Sequence, residues 1–121
     1  MKEQACRSGL ATAEFGKKPS NYRAIIEKYQ RPRLKDSDAA KFDWSNALGP
    51  KKGYGWFVEA AQCRGHGWAV CVSINGKNSY GAYTGYVPFF YLIKNGEVIY
   101  SDGSVTDRNY NCLNFDKQTT L

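Results

Sequence analysis

Cys63 and His66 sit close together in the chain, and a thiol beside an imidazole is the pairing from which cysteine nucleophiles are built. That chemistry needs the imidazole within hydrogen-bond reach of the sulfur and a third group to orient the ring. Proximity in sequence supplies neither. His66 is the only histidine, and Cys63 has a competing fate as half of a disulfide, so a histidine in a surface turn is the preferred reading. The eleven carboxylates offer no better site. Asp36 and Asp38, like Asp102 and Asp107, fall in turn-like contexts where capping and Asx-turns account for them. Gly53-x-Gly55 and Gly81-x-x-x-Gly85 lack the strand–loop–helix setting of a phosphate cradle and read as turns. No catalytic residue and no cofactor is assigned, and the chain reads as a non-enzyme.

Four cysteines, Cys6, Cys63, Cys71 and Cys112, contain no CxxC pair or other spacing typical of zinc, so no metal site is assigned. An even count points to disulfides and to an oxidising compartment. If a four-residue turn at 64–67 joins two strands, Cys63 falls opposite Trp68 and Cys71 opposite Ala60. The two then face opposite sides of the sheet and do not bridge each other. Each needs a cysteine near a terminus, and Cys71–Cys112 with Cys6–Cys63 is the favoured pairing.

The segment 75–86 has the composition of a binding surface. Asn75, Lys77 and Asn78 belong to a run of residues that accept left-handed backbone or bond their own chain. Tyr80, Tyr83 and Tyr86 follow, punctuated by Gly81 and Gly85. Tyrosine gives large contact area at low entropic cost. These six residues are the candidate binding residues, against the plainer reading that glycines fit turns and tyrosines cover a sheet edge.

The elements that must hold these residues follow from periodicity. Residues 1–18 are polar and read as a loose arm, with 19–121 forming one domain. Ser20 or Asn21 offers helix-start chemistry, and Tyr22, Ile25, Ile26 and Tyr29 repeat at helical spacing until Pro32. Asp36 or Ser37 can cap a short helical turn towards Phe42. From Trp44 to Gly55 the turn signals Gly49-Pro50 and Gly53-Tyr54-Gly55 suggest loop. The period becomes two from Trp56 to Ala61 and again from Trp68 to Ile74, with Arg64-Gly65-His66-Gly67 as the turn between. Val87 to Ile93 is a further strand, and Asn95-Gly96 is the strongest hairpin signal in the chain, setting Lys94 opposite Glu97, Ile93 opposite Val98 and Tyr91 opposite Tyr100. The tail from Ser104 is polar apart from Tyr110, Leu113 and Phe115. The expected fold is α+β: an antiparallel meander of about four strands with an N-terminal amphipathic helix on one face.

At 121 residues and 42% apolar composition the chain suits one packed domain, and 23% charged residues argue against general disorder. No apolar run approaches the roughly 20 residues of a membrane span. The net charge of +6 suits an acidic protein or envelope component as partner. Nucleic-acid binding is a weaker alternative, since Phe89, Tyr91 and Tyr100 lie on apolar strand faces and serve a core more economically than a stacking platform. A monomer is expected. Residues 1–18 hold no apolar signal-peptide core, so an exported protein would be present here in mature form.

Two stretches carry a resemblance. Leu34 to Phe42 (LKDSDAAKF) is similar to a motif LKDPxSAKF, and Val70 to Gly85 (VCVSINGKNSYGAYTG) is similar to VCxxVNAKNSYGGYTG. Together they resemble a family of small exported bacterial proteins and lipoproteins. The chain departs from the pattern at Ser37, Ala39, Gly76 and Ala82. The resemblance implies a periplasmic or secreted location and brings no catalytic residues with it.

Overall fold

In a computed structural model, which describes residues 2–103 and 109–121, four strands form one antiparallel sheet in the order β1-β2-β3-β4. These are β1 (Lys41–Phe57), β2 (Gln62–Lys77), β3 (Tyr83–Lys94) and β4 (Glu97–Gly103). Helices α1 (Lys2–Ser8) and α2 (Tyr22–Gln30) precede the sheet; α3 (Tyr110–Leu113) and α4 (Phe115–Gln118) follow it. The fold is the expected α+β meander. Asp107 and Ser104 lie outside the described residues.

The central strands, expected to alternate, are buried on both faces, with Ala69, Cys71, Phe90 and Leu92 as covered as their neighbours. Val70, Val72 and Ile74 of β2, with Tyr91 and Ile93 of β3, meet Ile26 of α2. Half-buried Tyr22, Ile25 and Tyr29 extend that helix face, as their spacing predicts. The Tyr91 hydroxyl donates to Gln30 Oε1 at 2.7 Å, giving this buried phenol its partner. On the opposite face Ala69, Cys71, Phe90 and Leu92 meet Phe115 of α4. Helices therefore cover both faces, where the sequence suggests only one. The second cover comes from the tail, whose sparse apolar residues conceal it.

Three expectations about where β1, the first turn and the short helix lie need correction. The stretch 44–55, expected as loop, is most of β1. This is an edge strand, where proline and bulges are tolerated, and its pairing with β2 slips between Asp43 and Leu48 and again between Leu48 and Lys51. Its glycines serve close approach. A Cβ on Gly53 would stand 3.0 Å from both the Ala69 and Thr119 side chains, so the glycine lets α4 sit on β1. Secondly, the β1–β2 turn is at 58–61, closed by Ala61 N–H to the Val58 carbonyl at 3.1 Å, not at 64–67. His66 is thus a strand residue, paired with Tyr54. Thirdly, the expected helical turn at 36–42 is a single 3-10 turn, Ser37–Ala39, after which Phe42 is already in β1.

Asn95-Gly96 makes its two-residue turn with φ of 52° and 80°, and Lys94–Glu97 and Ile93–Val98 are opposite as expected. One residue later the register slips, so Tyr91 faces Ser101 rather than Tyr100.

Candidate functional site

Both disulfides join β2 to a terminal helix: Cys6–Cys63 ties α1, and Cys71–Cys112 ties α3. The cross-strand parity argument for this pairing does not hold, since Cys63 and Cys71 share one strand. With every cysteine oxidised, the Cys63–His66 pairing has no thiol in this form of the protein. His66 Nε2 lies 2.6 Å from the Cys6 carbonyl and donates its proton there. The ring anchors the N-terminal helix, although its nitrogen and the two sulfurs lie within 4.8 Å of one another.

The 2–18 stretch, expected as a loose arm, is anchored at Glu3, Cys6 and Phe15, with most of its other residues exposed. Cys6 is buried beside Tyr54 and Trp56. Glu3 accepts from the hydroxyl of Tyr54 at 2.8 Å and from that of Tyr110, with Lys117 Nζ 3.3 Å away. Burial opposes its charge, but these donors and the Lys117 cation win and hold its pKa below the ordinary value. Further on, buried Phe15 meets Trp68 edge-on, and the indole donates to the Phe15 carbonyl at 3.0 Å. The arm reads as loose because its anchors are a cystine, a carboxylate and one aromatic, which have no periodicity.

The six candidate residues at 75–86 form the tip of the β2–β3 hairpin. Asn78 organises the turn. Its side-chain oxygen accepts from the backbone N–H of Tyr80 at 2.9 Å and of Ala82 at 3.1 Å, while its own N–H reaches the Ala82 carbonyl at 2.8 Å. Asn75 Oδ1 accepts from Gly85 N–H at 3.0 Å. The two asparagines thus hold the backbone and leave contact to other side chains. Lys77 pairs with Tyr83 and Asn75 with Tyr86, so β3 carries one extra residue, a bulge that includes Gly85 at φ 97°.

Tyr80 stands 94% exposed at the apex, and Tyr83 and Tyr86 are exposed behind it. Tyr83 is the best fixed of the three: its hydroxyl donates to the Ala39 carbonyl at 2.9 Å. Lys41 Nζ lies 4.5 Å and Lys77 Nζ 5.3 Å from its ring centroid, close enough for cation–π attraction. The tip is therefore an aromatic knob flanked by cations. Lys41, which the sequence reading passed over, belongs to it through the pairing of Lys41 with Asn75.

No protein-family model, curated protein or solved structure matches this chain. Among the described residues no helix is long and apolar enough to cross a membrane.

Proposed function

We propose that this protein is an exported, non-enzymatic binding module that engages an acidic surface of a protein or other envelope component through the 75–86 hairpin tip. One observation carries the reading: three exposed tyrosines on a turn braced by Asn75 and Asn78, with Lys41 and Lys77 against Tyr83. A braced turn loses little entropy on binding, and tyrosine beside cations suits a partner presenting carboxylates. Two disulfides support an oxidising location, periplasmic or extracellular, in keeping with the family resemblance.

Site-specific photo-cross-linking in the cells that make the protein tests this. A photoreactive residue at Tyr80 is expected to give one discrete adduct, while the same residue at exposed Val58, in the β1–β2 turn, gives none. Equal labelling at both positions, or none at Tyr80, contradicts the proposal.

A further inference from the structure

Beyond α2 the sheet face that carries Val87 and Phe89 is not fully roofed. A groove of about 500 Å³ opens there, between the β2–β3 hairpin and the Arg33–Lys35 segment. Its floor is apolar, formed by half-buried Val87 and Phe89 beside buried Ile74, with Leu34 at one wall. Arg33, Lys35 and Lys77 also line it, and among the described residues no carboxylate does. Arg33 sits over Tyr29, its guanidinium carbon 3.7 Å from the ring centroid, which holds that cation in place. An apolar trough with cations and no anion is complementary to an amphiphile whose head is negative.

The backbone narrows the choice of occupant. The floor lies in the interior strands β2 and β3, where Ile74 pairs with Val87 on one side and Phe42 on the other. Phe89 is likewise paired with Val72 and Gly103. Among the described residues Val87 pairs with Ile74 alone, so both ladder sides are taken at Ile74 and Phe89 only; an extended peptide needs such partners along its length. An acyl chain needs none.

We propose that this groove binds a single-chain fatty acid, the chain over Val87 and Phe89 against Leu34 and the carboxylate among Lys35, Lys77 and Arg33. The site lies on the face beneath the hairpin and shares Lys77 with the tyrosine tip; loss of cross-linking at Tyr80 leaves it untouched.

Calorimetric titration of the intact, oxidised protein with dodecanoate, below its micellar concentration, tests the assignment. Saturable one-to-one binding is expected, about tenfold or more tighter than dodecyltrimethylammonium, which has the same chain and the opposite charge. Gly76→Trp fills the groove mouth: a Cβ there meets nothing within 4 Å, and the variant is expected to fold and to lose about tenfold or more in affinity. Lys35→Glu with Lys77→Glu is the second variant, expected to weaken dodecanoate while sparing the cationic amphiphile. Equal affinity for the two amphiphiles overturns the proposal. So does dodecanoate binding that neither variant alters, or tighter binding of an acidic peptide in competition for the groove.

Discussion

Asn111 is wholly buried and takes both backbone groups of Trp56, accepting from its N–H at 2.9 Å and donating to its carbonyl at 3.0 Å. One side-chain amide thus serves as a strand partner for β1 at a point where the edge has no neighbour. Gln118 extends the arrangement, donating to the Tyr54 carbonyl at 2.8 Å and to Asn111 Oδ1 at 2.7 Å. Asn111→Ala strands these buried groups and is expected to cost about 1–3 kcal/mol, read as a lowered urea midpoint. Nothing in the sequence marks this amide as structural, because the Trp56 groups it serves lie 55 residues away. Glu3 acts at the same scale. Its folded pKa is below the ordinary 4.5, so the unfolded chain binds the proton more readily. The stability it contributes is therefore complete above pH 4.5 and is lost as pH falls through the lowered folded value. In an acid titration of the unfolding midpoint, Glu3→Gln is expected to flatten that segment of the curve and leave the neutral-to-alkaline shape alone.

At the scale of elements, legibility depends on where an element finds its partners. The β3–β4 hairpin is readable because Asn95-Gly96 and its flanking strands are contiguous, and α2 because its four apolar residues repeat on one face. β1 misleads because an edge strand with bulges uses the same glycine and proline letters as a loop. The terminal helices are short and held by cystines and buried amides, which leave no periodic trace. That attachment makes a prediction. Replacing Cys6 and Cys63 together by serine releases α1 from β2 and is expected to cost about 2–4 kcal/mol, with protease cutting newly confined to residues before α2. Unchanged stability and unchanged protease resistance would show that α1 is held without its cystine. Of the candidate tip, the tyrosines were legible as a cluster; the division of labour, with asparagines bracing and Lys41 arriving from β1, depends on tertiary pairing.

For the molecule as a whole, the oxidised cysteines suit an oxidising environment, and the net charge of +6 is the property on which the proposed acidic partner would act. Mass spectrometry of the protein from its native source should find it lighter than the reduced chain by two hydrogens per disulfide; a fully reduced mass would remove the compartment argument. The fold divides the work. Helices on both sheet faces secure the core, while the β2–β3 tip extends beyond their cover with its tyrosines in solvent. Such a tip is free to change without a stability cost: Tyr80→Ala, at a 94% exposed position, should alter unfolding free energy by no more than about 0.5 kcal/mol. On the proposed function its effect belongs to binding. With the partner captured at position 80 purified, its affinity for the wild-type chain and for Tyr80→Ala/Tyr86→Ala decides the matter. A loss of about tenfold or more, at an unaltered melting temperature and absent from a Val58→Ala/Ile99→Ala control, is the expected result. Equal affinity of the tyrosine variant and the wild type would contradict the account.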